Sequence, residues 1–374
     1  KGESMSLRMS LHDPAADLEA FLHLGRAEDG DAVSVAVAGL GAPVQNLLWA
    51  DVRGRAGYSM MGRVPARPDT GVHPLLPQDG RTAATDWKGW VPQDELPSLE
   101  LGPDDVFVSA NDPHVADPDY PHYLSSLYEP PYRALRLREL VGGLRDAEIE
   151  DLARIQMDAM NIATRWFKEH VILPHAETVR KTRPTLGRAV DRLLAWDGQE
   201  LPDAVGAVLW HMTYNALLKR TFGGPLGGEL TEAWLGAMNL VDRPLRRAFT
   251  EDDNPWAPPA SRAALVQRAI GDAVEALEAR GLDIDAPWGS LHQLTLRHPL
   301  GMVPVLGRIF DRGPIPLRGG PYAPVSGQYA HSKPAPVTSG PSYRHVVDLG
   351  DIEHRSRMVT FGGQSGHLGS PHYD

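Results

Sequence analysis

The chain predicts an α+β fold with mostly antiparallel sheet, and three observations carry that reading. The stretch PVQNLLWADVRGRAGYSMMGRVP (43 to 65) joins two β-type runs through the glycine turn Arg53-Gly54-Arg55, which signals a hairpin. From Pro130 to about residue 280 apolar positions recur three and four apart, the period of helices that bury one face. From residue 288 β-type runs return, and nowhere do strands and helices alternate as a parallel sheet requires. The 374 residues exceed one ordinary core and divide by pattern into a helix pair with antiparallel strands (1-129), a mainly helical region (130-287) and returning strands (288-374).

The elements follow in order. DPAADLEAFLHLGRA (13 to 27) reads as a helix capped by Asp13 with Pro14 in its first turn, and a second helix covers roughly 31 to 40. After the hairpin, residues 66 to 104 are rich in turn formers and read as a long ordered loop. DVFVSA (105 to 110) reads as a third strand. The helical block then runs through PPYRALRLRELVG, DAEIEDLARIQMDAMNIATRWFKEHV, LGRAVDRLLAW, DAVGAVLWHMTYNALLKR, LTEAWLGAMNLV and SRAALVQRAIGDAVEALEARG. GGPLGG (223 to 228) is expected to stop one of these helices. WGSLHQLTLRHP, RHVVDLGD and SRMVTFGGQSG supply the later strands. The Pro/Gly/Ser-rich stretch between them has the composition of disorder, yet its aromatics and flanking strands equally suit an ordered loop.

Composition excludes several classes of function. A net charge of −11 argues against a polyanionic partner such as nucleic acid, and RALRLR (133 to 138), at helical spacing, reads as a solvated face. With no cysteine there are no disulfides, thiolate nucleophiles or thiolate metal ligands. No run approaches the ~18 apolar residues of a membrane span. Fifteen histidines invite a metal reading, but no HExxH occurs, and the pairs His292/His298 and His367/His372 fall in strand or loop rather than on one helix face. GGPLGGEL lacks the Lys-Ser/Thr of a phosphate loop, and GQSG (363 to 366) lacks the ending of a G-x-S-x-G elbow.

One stretch stands apart. FVSANDP ends an apolar run on Asn111, and about twenty residues later a helix begins at PPYRALRLREL. An asparagine at a strand end can present a fixed, neutral NH₂ where negative charge develops during acyl transfer. On local grounds Asn111 equally opens an Asx turn before Asp112-Pro113. Arg133 can brace such an amide or bind a carboxylate through its planar fork, and equally reads as a solvated first-turn arginine.

QNLLWADVRGRAGYSMMGRVPAR, DWKGWVPQDELP, FVSANDP, DYPHYLSS, PPYRALRLREL, WGSLHQLTLRHPLG, GPSYRHVVDLGD and GGQSGHLGSPHYD, taken in this order over nearly the whole chain, resemble the penicillin acylase family. These are N-terminal-nucleophile hydrolases that include penicillin, cephalosporin and N-acyl-homoserine lactone acylases. The resemblance implies a four-layer αββα sandwich of two antiparallel sheets with a helical excursion, of which this chain is the C-terminal larger part of the β chain. It implies an autocatalytically cut precursor, with the α chain and the N-terminal part of the β chain as partners. It also implies an acylated small-molecule amide as substrate, and a periplasmic or secreted location.

By the same resemblance Asn111 donates to the oxyanion and Arg133, 22 residues on, braces the site. Gln45 and Asn46 fall where a hairpin strand approaches the acyl pocket, although either suits an ordinary edge strand. The nucleophilic serine belongs to a segment ahead of this chain, and Lys1 is no such nucleophile. No cofactor is required. A structural calcium is implied for many members, with the Pro74 carbonyl as one ligand, but Leu124 stands near the place of a later aspartate, with Asp117 and Asp119 only nearby. A non-catalytic homologue acting as a binding or envelope-assembly subunit is the competing expectation.

Overall fold

The computed structural model describes residues 4–113, 115, 119–360 and 362–373, with backbone alone for Met238, Asn239 and Pro304. They divide into two units, one containing the residues up to Tyr128 with Asp348–His354, the other Glu129–Val347 with the residues from Arg355 on.

In the first unit, helices α1 (Asp17–Leu24) and α2 (Gly30–Ala38) precede strands β1 (Gln45–Ala50), β2 (Ala56–Met61) and β3 (Ser98–Leu101), which form one antiparallel sheet in the order β1-β2-β3. Helix α1 starts later than its proline suggests, because residues 10–12 form a separate turn and Ala16, not Asp13, is the cap. The working carboxylate is Asp17, which accepts from Gly41 N at 2.5 Å and Ala42 N at 3.1 Å and ties the helix to the chain entering the sheet. Asp29 caps α2 by accepting from Ala32 N. The hairpin turn closes as its residues dictate: Asp51 accepts from Arg53 N and Arg55 N, and Gly54 takes φ +83°, a conformation that favours glycine.

Pairing register assigns the faces. Leu47 lies opposite Ser59 and Trp49 opposite Gly57, on the side that packs with Met61 against Ala20, Val33 and Val37 of the helices. Asn46 opposite Met60 and Leu48 opposite Tyr58 occupy the other side, where Tyr58 and Met60 pack with Val64, Val91, Leu96 and Phe107. Two expectations are corrected here. The second partner of β2 is Ser98–Leu101, within the stretch read as loop, and DVFVSA joins no strand. An alternating pattern marks a half-buried segment, whereas strand status needs a backbone ladder; DVFVSA is attached through side chains, Phe107 stacking on Tyr58 with centroids 4.6 Å apart.

The second unit contains α3 (Tyr132–Gly142), α4 (Ile149–Gln156), α5 (Ala163–Phe167), α6 (Ala176–Thr182), α7 (Gly187–Ala195), α8 (Ala207–Gly236), α9 (Asp242–Thr250), α10 (Pro259–Glu278) and α11 (Pro304–Phe310). It also contains two antiparallel pairs, β4 (Gln293–Leu296) with β5 (Arg312–Pro316) and β6 (Tyr343–Val346) with β7 (Arg357–Thr360). Asn161 divides what its sequence spacing joins: its side chain accepts from Ala163 N, capping α5, while its backbone N–H leaves for Gly198 O. GGPLGG interrupts α8 and separates two helical segments within it. Gly227, at φ +74° and ψ 167°, kinks it, and Thr231 Oγ donates to the Gly227 carbonyl across the kink.

The core of this unit carries a continuous polar chain. Asn161 Nδ2 and His211 Nε2 both meet Glu200 Oε1, at 2.7 and 2.8 Å. His211 Nδ1 meets Tyr329 OH, which also accepts from Asn215 Nδ2, and Asn215 Oδ1 faces His331 Nδ1 at 2.8 Å. Tyr322 lies between His331 and Tyr214, and Tyr214 and Tyr132 donate to Asp242. The Pro/Gly/Ser-rich stretch supplies Tyr322, Tyr329 and His331, all fully buried, so it is an ordered part of the core. Burial pushes Glu200 up to about 8 and holds His211, His292 and His331 down at about 3.

Two outcomes follow. A Cβ on Gly57 would sit 2.6 Å from the Trp49 indole, which also covers Gly30, so Gly57→Ala should cost about 1–3 kcal/mol in urea unfolding followed by tryptophan fluorescence. A cost below about 0.5 kcal/mol would show that the indole is not clasped there. For the buried titrating groups, the three depressed histidines contribute stability present above 6.5 and lost as pH falls towards 3, whereas raised Glu200 contributes stability that is lost as pH climbs from 4.5 to about 8. Thermal melts should therefore show a decline between pH 6.5 and 8 that Glu200→Gln removes; an unchanged decline in that variant would contradict a neutral buried carboxyl.

Candidate active site

On the face of the β1–β2 hairpin turned away from the helices lies a cavity of about 380 Å³. Asn46 reaches it from β1 and Met60 from β2, with Gln45, the first residue of β1, also at its lining; Val64, Leu124 and Tyr128 add apolar surface, and Asn111 stands at its lining as well. The volume lies in the range of small-molecule sites, and apolar walls with a few convergent amides are what such sites consist of.

The backbone around Asn111 is held in an uncommon conformation. Its φ is +64°, the left-handed region that few residue types other than glycine and asparagine tolerate. On one side Asp112, buried, accepts from Ala110 N at 3.0 Å. Two residues before Asn111, Ser109 Oγ accepts from Asn46 Nδ2 at 3.3 Å, and Asn46 Oδ1 accepts in turn from Tyr58 OH at 2.9 Å. Tyr58 is 3% exposed, and burial holds its phenol well above its usual pKa, so it stays a proton donor throughout the neutral range. Because a phenol donates to the amide oxygen, the Asn46 amide has one orientation, with its NH₂ towards Ser109.

Of the residues singled out from sequence, Gln45, Asn46 and Asn111 share this cavity, and Arg133 and Pro74 are not among its lining residues. Arg133 belongs to the second unit, in the first turn of α3, where its side chain is 14% exposed and stands 4.0 Å from Glu129. It is not a solvated arginine. Neither is Arg136, whose guanidinium grips Asp158 through two bonds of 3.0 and 2.8 Å, so the face read as solvated is largely paired and covered. Pro74 lines a separate small cavity with Thr70, Val72, Gln78 and Thr85. No carboxylate joins it there, and among the described residues no group of three or more His, Asp or Glu is arranged to hold a metal. Asp117 lies outside the described residues.

Sequence reasoning missed Tyr58, Ser109 and Asp112. The signal for Tyr58 was present: with the Asp51/Arg55 pair closing a three-residue loop centred on Arg53, period-2 alternation puts Tyr58 and Asn46 on one face. Nothing local marks Ser109 or Asp112, whose partners come from tertiary structure or from backbone conformation.

The family model described as penicillin amidase matches residues 1–374. The chain is 27% identical over 365 residues to a penicillin acylase 2 proenzyme from Pseudomonas sp. (strain SE83), covering 90% of this chain and 43% of that protein. It is 25% identical over 405 residues to the acyl-homoserine lactone acylase QuiP of Pseudomonas aeruginosa, covering all of this chain and 47% of that one. Among solved structures, a thermostable penicillin G acylase from Alcaligenes faecalis superposes with a TM-score of 0.53 at 20% identity, over 72% of this chain and 52% of that chain, a likeness of fold. The chain thus spans less than half the length of these two relatives. With the family model matched from end to end and the hairpin, the amide-bearing segment and the helical block all in place, this chain belongs to the penicillin amidase family.

Proposed function

We propose that the complete protein is an amidohydrolase that cleaves the amide of an acylated small molecule, an N-acyl-homoserine lactone or the acyl side chain of a β-lactam. The observation that carries this reading is the convergence of Gln45, Asn46 and Asn111 on one cavity, with the Asn111 backbone held in a left-handed conformation. The names of the relatives, penicillin acylase and acyl-homoserine lactone acylase, supply the reaction class.

In this reading the acyl group lies in the cavity against Met60, Val64 and Leu124, and the scissile carbonyl oxygen lies beside Asn111. The nucleophile is a serine at the start of the processed β chain, in a segment outside this chain, with its own α-amino group as base. The hydroxyl oxygen bonds to the carbonyl carbon as its proton passes to that amine; the oxygen of the resulting tetrahedral centre carries the charge, and the Asn111 amide donates to it. The C–N bond then breaks, the leaving amine takes the proton, and water repeats the sequence on the acyl ester to release the carboxylic acid and restore the serine. Arg133 braces the assembled site, and Gln45 lines the acyl pocket. The completed fold is the four-layer αββα sandwich, assembled with the α chain and the N-terminal part of the β chain in an extracytoplasmic compartment. No step is assigned to a metal.

Alanine is a poor probe at position 111, because a side chain with a Cβ at φ +64° adds backbone strain to the loss of the amide. Asn111→Gly removes the donor without that strain. In the complete, processed protein it should lower kcat on an acyl-amide substrate by ~10²- to 10³-fold while the melting temperature holds. Unimpaired turnover in that variant rejects the oxyanion role, and a complete protein that never hydrolyses any member of an acyl-amide panel points instead to a binding or assembly subunit.

A further inference from the structure

We infer that Asn46 is a positioning residue that sets the oxyanion donor, through the relay Tyr58–Asn46–Ser109, and is not chiefly a substrate contact. This rests on the reading of Asn111 as that donor. The amide of Asn46 is engaged at both ends: its oxygen takes the Tyr58 hydroxyl at 2.9 Å and its NH₂ reaches Ser109 Oγ at 3.3 Å. Tyr58 is an anchored starting point. It is 3% exposed, pinned in the middle of β2 between two antiparallel partners, and stacked on Phe107 at an interplanar angle of 17°.

What the relay holds is a segment that needs holding. Residues 105–110 belong to no strand, so side-chain attachments help set where their end lies. Phe107 and Ser109 are attachment points, and both lead to Tyr58, one by ring stacking and the other through Asn46. Immediately beyond comes Asn111 at φ +64°, with Ala110 N bound by Asp112. A donor aimed at an oxyanion acts only within a few tenths of an ångström of its proper place, and misplacing a catalytic group by about 1 Å costs on the order of 10²-fold in rate. Loosening Ser109 moves the base on which Asn111 stands. Substrate binding, which draws on the apolar walls, is left alone.

A double-mutant cycle in the complete, processed enzyme separates the alternatives, using a chromogenic acyl anilide that it turns over. Ser109→Ala, Tyr58→Phe and Asn46→Ala should each lower kcat by ~10-fold with KM within about 2-fold, and each should lower it no further in the Asn111→Gly background, since groups that act through one another are not additive. Ser109→Ala deletes one exposed-side hydroxyl and keeps the test valid should Asn46→Ala fail to fold. The same loss in both backgrounds overturns the relay while leaving the oxyanion role of Asn111 intact, as does a raised KM at unchanged kcat, which makes Asn46 a substrate contact. Full turnover in Asn111→Gly alone removes the underlying reading, and the relay with it.

Discussion

Everything at the candidate site depends on which way the β1–β2 hairpin faces. A strand alternates its side chains, so a slip of β1 by one residue would put Asn46 on the face opposite Tyr58 and Met60 and bring Leu47 and Trp49 to the cavity side. The register is held on the side away from the site. The Trp49 indole lies against Gly57 and Gly30, filling space that a Cβ at either position would occupy. The Asp51 turn fixes the same register from the hairpin end, with its carboxylate closing on Arg53 N, Arg55 N and the Arg55 guanidinium. Packing behind the sheet thereby decides the chemistry in front of it.

The second unit solves a different problem. Its core buries aromatic and aliphatic surface on a scale that would suffice for stability, yet a chain of polar groups from Asn161 to Asp242 runs through it. Burying such groups costs several kcal/mol unless each finds a partner, and nearly every one does. His211 stacks on Trp288 and Trp288 on His292, so the imidazoles behave as aromatic filler with a polar edge. Glu200 Oε2 and His292 Nε2 have no hydrogen-bond partner among the described residues, and burial favours the neutral form of each. A network of this kind specifies one packing of the helices, since any shift leaves several groups unpaired at once.

The extent to which this was legible in sequence tracks how local the deciding interaction is. The hairpin was legible because its turn residues carry their own instructions, and so were α2 and most of the later helices, whose apolar period needs no partner to be seen. The α1 start was missed because Asp13 has the local signature of a cap, whereas the carboxylate in use is Asp17, the first helical residue, through a tertiary contact with Gly41. DVFVSA was read as a strand and Ser98–Leu101 as a loop because pattern reports burial while a ladder depends on which backbone lies alongside. Asn111 and Asn46 were legible only through resemblance to a family; their surroundings are not, since Ser109 and Asp112 look like ordinary loop residues until the chain is folded. Arg133 read equally well as solvated or as a brace, and its 14% exposure removes the first of these.

The central claim is that the Asn111 amide, held by its left-handed backbone, is where a tetrahedral oxyanion is met. The most direct measurement is a crystal structure of the complete, processed protein carrying a boronate or phosphonate adduct on its N-terminal nucleophile. The account predicts Asn111 Nδ2 about 2.7–3.1 Å from the adduct oxygen, with φ at Asn111 still positive and Ser109 still bonded to Asn46. An adduct oxygen held by other donors, with the Asn111 amide turned from the cavity, would contradict it.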